Sequence, residues 1–507
     1  MYPPIPRLGD FDVSPLNGFL PTEPPCDHIS DPYYAPWESI INNLQPLILT
    51  KRLRGCVDRL PVLSTDFLHA KAEWRRAYSI LGFIVHAYVW GEDSPADIIP
   101  PPISIPFLET CEYLELPPVG TYASFVLWNW KPLILSEPVD CLENIFTLHT
   151  LTGSMDEAWF FLVSVAIEAR GAAIIPLMLE AISAARFNDT EAVTEALRSF
   201  AQRLDELGML LNRMYENCDP HIFYHRIRVV LAGSKNMVEA GLPNGIKFDT
   251  GSNTDEYVQY SGGSNAQSSI IQFFDIILGV EHRPTGAPPS SDRPAMHGPP
   301  SANFILEMRR YMPGPHRRFL EAVERIANIR NFVVANSGNA ALRTAYDACL
   351  AMLRAFRDIH IQIVSRYIII KSRESRPSST SPPRPSGRKN LAVASMQSHS
   401  SGEDSAGAPR QRKLKGTGGT ALIPFLKQAR DETGEPAIDD WARRLLSNGP
   451  ATVARGMDPW ASGGSVGSAG AGARLTKMGE HASGEMEILG LAGVWRVGDD
   501  EGGICHW

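Results

Sequence analysis

Hydrophobic residues recur at intervals of three and four over most of the chain, which is the spacing of an amphipathic helix. The first such stretch covers residues 37–90, and its regularly spaced apolar positions are Leu68, Trp74, Ala77, Tyr78, Leu81, Ile84 and Val85. A longer stretch covers about 150–372, with polar or proline-rich breaks near 186–189, 241–264 and 284–300. The pattern therefore predicts a mainly α fold.

Prolines concentrate between these two stretches. Residues 91–120 contain Pro95, Pro100, Pro101, Pro102, Pro106, Pro117 and Pro118. Because proline lacks a backbone N–H and interrupts helices, this segment predicts loop with short extended pieces. Residues 1 to about 40 are also rich in proline and predict an extended arm. We therefore expect a domain boundary near residue 145, between residues 1–145 with their proline-rich arm and a strongly helical part over 146–372.

The last part of the chain has a different composition. Residues 373–412 are rich in serine, proline and arginine, and such a segment buries too little apolar surface to offset the entropy of ordering. We expect a disordered insertion there. A short ordered stretch at 413–427 predicts a lid segment and the start of a final helix. Residues 428–507 predict a poorly defined, partly disordered tail.

Charge and cysteine usage narrow the function classes. The net charge of −8 does not favour nucleic acid or anionic lipid, so we expect neither as a partner. The seven cysteines are scattered and form no C-x-x-C pair, which indicates a reducing compartment without a disulfide framework or a zinc site.

The most apolar stretch, 158–182, contains Glu168 and Arg170, so it predicts a buried helix rather than a membrane span. The start of the chain lacks a secretory signal pattern, and a cytoplasmic location is expected.

One histidine among thirteen stands on a buried helical stripe. His360 lies at three-and-four spacing from Phe356, Ile363, Val364 and other apolar positions, and Arg357 precedes it by one turn. Such a histidine is more often a core residue than a ligand. If it is a ligand, one helical imidazole is what a haem iron takes on its proximal side, and the adjacent arginine suits a haem propionate.

Several other local signals are weak when each is taken alone. Gly262–Ser269 predicts a loop entering a helix N-terminus, which either holds an anion or is an ordinary capped end. Lys415–Thr420 is not a P-loop, and it predicts a lid or a linker end. Ser164 shares a helical face with Phe160, where a hydroxyl normally bonds back to its own helix.

Arg228 follows the aromatic Phe223 by five residues and begins another apolar run. Its guanidinium could bind the carboxylate of a ligand, although an arginine in such a place is more often a surface charge.

The order of these signals along the chain resembles the indoleamine 2,3-dioxygenase family. The blocks that carry the resemblance are Phe160–Ser164, Phe223–Gly233, Gly262–Gly279, Met308–Pro313, Ala345–Cys349, His360–Val364 and Lys415–Thr420. The resemblance covers about residues 30–372 and 413–427. It implies a small mixed N-terminal domain and a large helical domain that holds one haem b.

The resemblance also implies a role for each site residue. His360 matches the proximal iron ligand, and Arg357 with Asp275 matches the pair that supports a haem propionate. The remaining matches are Phe160 and Ser164 in the distal pocket, Tyr122 lining it, Phe223 against the substrate indole, Arg228 on the substrate carboxylate, Ser264 and Asn265 on the distal loop, and Thr417 on the lid.

The family's reaction then becomes the expected function. The resemblance implies insertion of O2 into the indole C2–C3 bond of L-tryptophan to give N-formylkynurenine, the first step of the kynurenine pathway, which serves tryptophan catabolism or NAD supply. Haem supplies the oxygen chemistry, while the protein orients the substrate. We expect a monomer that depends on a cellular reductant to keep the iron ferrous.

Some features depart from the family pattern and leave other interpretations open. Asn265 stands where the family has alanine. This difference favours a first alternative, a divergent haem-binding relative with weak tryptophan turnover. A haem sensor or carrier without catalysis is a second alternative. A helical interaction protein, with His360 in the core and the basic insertion as its contact surface, is a third.

Overall fold

The computed structural model describes residues 2–238, 240–286, 303–374 and 422–447, together with three strands between residues 477 and 497. Helices dominate, as the periodicity predicts. The α-helices are α1 (Ala35–Asn42), α2 (Leu44–Leu49), α3 (Leu53–Val57), α4 (Lys71–Trp90), α5 (Pro101–Leu114), α6 (Met155–Gly171), α7 (Ile174–Arg186), α8 (Thr190–Asn212), α9 (Met214–Asn217), α10 (Pro220–Ile222), α11 (Arg228–Val230), α12 (Ser269–Leu278), α13 (Phe304–Arg309), α14 (Gly314–Glu324), α15 (Ile329–Ala335), α16 (Ala340–Val364), α17 (Lys371–Glu374), α18 (Leu422–Glu432) and α19 (Asp440–Ser447).

Short irregular helices and strands complete the described elements. Single π-helical segments are Ala123–Leu127, Phe223–Ile227 and Ser365–Ile370, and 3₁₀ turns are Leu8–Phe11, Pro32–Tyr34, Leu142–Asn144 and Asn265–Gln267. The strands are β1 (Ile98–Ile99), β2 (Trp130–Pro132), β3 (Ile145–Thr147), β4 (Ile246–Phe248), β5 (Tyr257–Val258), β6 (Lys477–Glu480), β7 (Met486–Gly490) and β8 (Gly493–Val497). β4 pairs in parallel with β1 and antiparallel with β5, whereas β2–β3 and β6–β7–β8 are antiparallel.

The two longest helices of the described part of the chain, α8 and α16, pack along each other. Side-chain caps define where each begins: Asp189 accepts from the N–H of Ala192, and Asn339 accepts from the N–H of Leu342. Their facing stripes are buried, and the thiol of Cys349 reaches the carbonyl of Leu197 at 3.0 Å. α16 is therefore fixed along its length, and this positions the residues near its C-terminal end.

The proline-rich segment 91–120 does not form the predicted loop. It contains α5, Pro101–Leu114, so the expectation was wrong for these residues, whereas a short extended piece is present as Ile98–Ile99. Pro101 and Pro102 stand in the first turn, where a missing N–H costs nothing and the fixed φ suits a helix. The helix ends at Glu115, which adopts a left-handed φ of 55°. The proline count thus indicated a helix start rather than a loop.

The apolar stretch around residue 170 forms two helices, α6 and α7, rather than one. The run Met155–Arg186 is long and apolar enough to cross a membrane, but 72% of its most apolar window is buried inside the protein. Glu168 lies within it and is fully buried. The stretch therefore consists of buried core helices, which can be as long and as apolar as a membrane-spanning helix.

Side chains on both sides of the predicted boundary near residue 145 share one hydrophobic core. Phe125 stacks on Phe161 with ring centroids 5.7 Å apart and planes 7° apart. The indole N–H of Trp90 donates to the carbonyl of Ala232 at 2.8 Å. The N-terminal region therefore packs against the helical region and supports it.

The expectation of a poorly defined tail from residue 428 was wrong for residues 428–447. α18 continues to Glu432, and the backbone N–H groups of Ile438 and Asp439 donate to the carboxylate of Asp347 on α16. Ala437 is completely buried. The stabilising contacts come from distant helices, so the local composition did not reveal them. The predicted insertion lies, apart from its first two residues, outside the described part of the chain.

Candidate functional site

A cavity of about 240 Å³ lies between α6, the segment that includes α11, the loop before α12, and helices α16 and α18. Most of its lining is apolar. The lining includes all but one of the residues singled out from sequence: Tyr122, Phe160, Ser164, Phe223, Arg228, Ser264, Asn265, Asp275, Arg357 and His360. Thr417, the exception, lies outside the described residues. Positions more than 200 residues apart in sequence thus meet at one place.

His360 faces this cavity from α16. Burial, and secondarily the positive charge of Arg357, lower the pKa of His360 to about 4, so the imidazole is neutral near pH 7. The ring is partly exposed where it borders the cavity, and within the described part of the chain it makes no hydrogen bond. A neutral, cavity-facing imidazole without a partner fits the single protein ligand that a haem iron requires. No group of three or more His, Cys, Asp and Glu side chains that could hold a metal occurs among the described residues.

Arg357 and Asp275 form a buried ion pair on the same side. One terminal nitrogen of Arg357 lies 2.7 Å from each carboxylate oxygen of Asp275. Burial raises the pKa of Asp275, but the charges of Arg357 and His282 outweigh burial and the pKa is lowered. Arg357 also donates to the hydroxyl of Thr433, just beyond α18. The pair is thus anchored between α12, α16 and α18, and both of its members reach the cavity.

Aromatic rings form another wall. Phe160 and Phe223 meet edge to face with centroids 5.1 Å apart, and Phe223 meets Tyr367 in the same way at 5.6 Å. Phe160, Phe223 and Tyr367 all line the cavity, so this wall is aromatic and largely apolar. Ser164 donates back to the carbonyl of Phe160 at 3.4 Å, which is the local bond expected of a helical serine.

Arg228 is the most deeply buried charge of the cavity, with only 1% of its surface exposed. Burial lowers its pKa to about 10, while the phenol of Tyr224 opposes this shift, and its guanidinium lies 5.7 Å from the centre of that ring. The interpretation of Arg228 as a surface charge is wrong. A carboxylate entering the cavity would offset the cost of burying this cation.

Glu168 is a polar residue near the cavity that the sequence analysis did not assign to the site. Its Oε1 accepts from the hydroxyls of Tyr122 at 3.1 Å and Ser268 at 2.6 Å, while Oε2 is buried without a partner among the described residues. Burial raises the pKa of Glu168 to about 7, against the effect of the two hydroxyls. The sequence did contain a signal for this residue, namely a single carboxylate within an apolar helix. Such a residue is rarely buried without a role.

We expect Glu168→Gln to gain stability relative to the wild type as the pH rises from about 4.5 to 7. The folded wild type holds a proton that the unfolded chain releases near pH 4.5, so its stability falls across this window, whereas the amide has no charge to bury. At about 1.4 kcal/mol per pKa unit, the full difference is on the order of 3 kcal/mol. Thermal melts of both proteins from pH 4.5 to 8 measure it, and parallel curves of Tm against pH would contradict the assignment.

Two glycines bring the distal loop against the segment that follows Arg228. A Cβ at Gly262 would stand 2.2 Å from the carbonyl oxygen of Leu231 and 2.4 Å from the nitrogen of Gly233. A Cβ at Gly233 would meet the nitrogen of Gly262 at 2.4 Å. The backbones can approach this closely only because both residues lack side chains. This contact places Ser264, whose hydroxyl caps the turn Asn265–Gln267, at the cavity.

Gly262→Ala is expected to lower Tm and weaken substrate binding together. The added methyl collides with backbone atoms, which cannot rotate away, so the loop must move; such overpacking typically costs about 1–3 kcal/mol. Gly338→Ala is the matched control, because a Cβ there meets nothing within 4 Å. Differential scanning calorimetry of the three proteins tests this, and equal Tm values for Gly262→Ala and the control would disprove the steric argument.

Helix α18 closes the cavity from the remaining side. Leu422, Phe425, Leu426 and Ala429 line it along one face of this helix. The sequence analysis expected only a lid and a helix start here, and the structure shows that the helix itself contributes the wall.

The comparisons with known proteins agree with this geometry. The sequence profile of the indoleamine 2,3-dioxygenase family matches residues 7–436, a wider range than the resemblance covered. The chain is 40% identical over 444 residues to an indoleamine 2,3-dioxygenase of Saccharomyces cerevisiae, covering 85% of this chain and 93% of the relative. It is 37% identical over 429 residues to 6-hydroxytryptophan 2,3-dioxygenase fscD of Fusarium equiseti, covering 85% and 97%. It is 32% identical over 435 residues to human indoleamine 2,3-dioxygenase 2, covering 85% and 95%. The chain therefore belongs to the indoleamine 2,3-dioxygenase family and is a dioxygenase enzyme.

Proposed function

We propose that the chain binds one haem b through His360 and cleaves the indole C2–C3 bond of L-tryptophan with O2, giving N-formylkynurenine. The observation that carries the proposal is the meeting, in one apolar cavity, of a neutral imidazole without a hydrogen-bond partner and a buried guanidinium. The first suits a haem iron, and the second suits the carboxylate of an amino acid. Most of the surface between them is apolar, as an indole requires.

The residues around the cavity would divide the work of holding haem and substrate. His360 would ligate the iron, and Arg357 with Asp275 would support a propionate through charge-assisted hydrogen bonds. Bound haem supplies the electronic route by which O2 reacts with a closed-shell indole. Ser264 lies on the loop that would border the haem.

Substrate orientation follows from the other residues. Arg228 would fix the carboxylate, while Phe160 and Phe223 fix the plane of the indole, which restricts the substrate to one pose. Tyr122 and Ser164 supply hydroxyls at the cavity wall, and Asn265 lies on the distal loop. The apolar wall from α18 excludes water from the reacting groups. We place Thr417 on the lid as part of the same proposal.

The wider setting belongs to this proposal as well. The enzyme would act as a monomer in the cytoplasm, draw on a cellular reductant to keep iron ferrous, and start the kynurenine pathway for tryptophan catabolism or NAD supply. Asn265, in place of the family's alanine, favours one alternative: a haem-binding relative with weak tryptophan turnover or a haem sensor or carrier.

Reconstitution with haem followed by a turnover assay tests the proposal. We expect a Soret band at one haem per chain and conversion of L-tryptophan to N-formylkynurenine that carries both atoms of ¹⁸O2. L-6-hydroxytryptophan is assayed in parallel, because one relative is named for that substrate. Haem binding without product from either substrate would support the sensor or carrier, and failure to bind haem would overturn the proposal.

A further inference from the structure

A buried histidine behind the cavity joins two carboxylates from different helices. His282 follows α12, and its side chain is 7% exposed. Its Nε2 lies 3.1 Å from Oδ2 of Asp275, and its Nδ1 lies 2.7 Å from Oε2 of Glu432 on α18. An imidazole donates from both nitrogens only when it is protonated, and ionised carboxylates only accept. The geometry therefore fits an imidazolium shared by two buried carboxylates.

The surrounding charges are balanced around this histidine. Arg357 on α16 faces Asp275 from the other side, as described above. Glu432 accepts also from the backbone N–H of Arg283 at 3.0 Å, and the guanidinium of Arg283 pairs with Glu435 at 2.5 Å. Three cations therefore face three carboxylates: His282, Arg283 and Arg357 against Asp275, Glu432 and Glu435. Removing one charge from such a buried set leaves another without compensation.

This cluster connects the Asp275–Arg357 pair to the C-terminal end of α18. The other end of α18 provides cavity wall through Leu422, Phe425 and Leu426. Gln428, in the middle of the helix, donates to Oε1 of Glu432 at 2.8 Å and to the carbonyl of Arg283 at 3.1 Å. The segment 282–286 is thus a support along which α18 is aligned.

We propose that His282 is a positioning residue, which fastens α18 to the Asp275–Arg357 pair and thereby holds one wall of the cavity against the substrate. The identity of the substrate rests on the proposed function, whereas the attachment of α18 does not.

The attachment has a defined pH dependence. Burial lowers the pKa of His282, but Asp275 and Glu432 outweigh burial and raise the pKa above 6.5. A cation favoured in the folded state stabilises it fully below the unfolded value, and this contribution is lost as the pH rises through the folded value. The fastening of α18 should therefore be complete below about pH 6.5 and weaken at higher pH.

Hydrogen exchange of the full-length protein, followed by mass spectrometry of peptides from α18, tests this directly. After correction for intrinsic exchange rates, we expect wild-type α18 to open more often as the pH rises from 6.5 to 9, while α8 stays unchanged. His282→Gln should open α18 about tenfold more often at pH 6.5 and remove the pH dependence. Glu432→Gln, which keeps the shape and an acceptor oxygen, should do the same to a smaller extent.

A double variant and a control make the test specific. His282→Gln combined with Glu432→Gln should open α18 less often than the product of the two single effects, because both changes remove the contact between His282 and Glu432. His69→Gln, at an exposed position before α4, should behave as the wild type. Unchanged, pH-independent exchange of wild-type α18, or additive effects of the two variants, would overturn the proposal.

Kinetics separates positioning from a purely structural effect. In the haem-loaded enzyme we expect His282→Gln to raise KM for L-tryptophan about three- to tenfold while kcat changes less than twofold, because the wall contacts substrate but not the bond that breaks. A fall in kcat at constant KM would contradict this. If no variant and no wild type turns over tryptophan, the proposed function fails, while the exchange data still decide the role of His282.

Discussion

His360→Ala is expected to give a folded protein that no longer retains haem stoichiometrically. The imidazole is neutral, faces the cavity and makes no hydrogen bond within the described residues, so its loss leaves no buried partner unsatisfied. The fold should therefore persist, while the iron loses its protein ligand. Absorbance in the Soret region per chain measures retention, and far-ultraviolet circular dichroism measures the fold.

Chemical rescue sharpens this test. His360→Gly leaves a space that free imidazole can enter, and added imidazole should restore much of the Soret absorbance. His69→Ala, at an exposed position, is the control and should bind haem as the wild type does. A His360 variant with a normal Soret band and normal turnover would remove the ligand assignment.

Arg228→Ala should lower kcat/KM for L-tryptophan by about 10- to 100-fold or more with haem content unchanged. A buried charge-assisted pair contributes roughly 1.5–3 kcal/mol, and Arg228 comes from α11, not from the helix that carries His360. Arg228→Lys should recover only part of the loss, because an ammonium lacks the planar fork that matches a carboxylate. Steady-state kinetics and the haem-to-protein ratio measure both effects.

Tryptamine, which lacks the carboxylate, distinguishes a loss of carboxylate recognition from general damage to the cavity. The wild type should strongly prefer tryptophan to tryptamine, and Arg228→Ala should nearly abolish that preference. General damage to the cavity would instead lower both rates alike. If the variant discriminates as well as the wild type, the carboxylate is held elsewhere, either by the loop at Gly263–Asn265 or by the lid at Thr417.

The errors of the sequence analysis have physical causes. The prolines of 91–120 indicate a loop when they are counted, yet at the start of α5 they stand where a helix tolerates them. The segment 428–447 lies beyond the range that the family resemblance covered, and its helices are held by contacts to Asp347 and Arg357 from other parts of the chain. Glu168 was counted as an interruption of an apolar run, because burial cannot be known before packing is.

The local sequence determined what depends on short range. Three-and-four spacing is enough to predict a mainly α chain, and it places Arg357 and His360 on one face of α16 because residues one turn apart share a face. The family resemblance added which residues to watch. The resemblance implied that these residues share a pocket, but the spacing of residues along the chain did not.

Tertiary packing decided the site itself. Arg228, Asp275, His360 and Glu432 come from four different helices, and the distances between them follow from how α11, α12, α16 and α18 are placed in the fold. A periodic pattern gives the buried face of a helix but not its partner, because the partner is chosen by shape and charge summed over many distant side chains. The burial of Arg228, the lowered pKa of His360 and the contact between His282 and Glu432 are consequences of that packing, since each depends on removing water from a polar side chain.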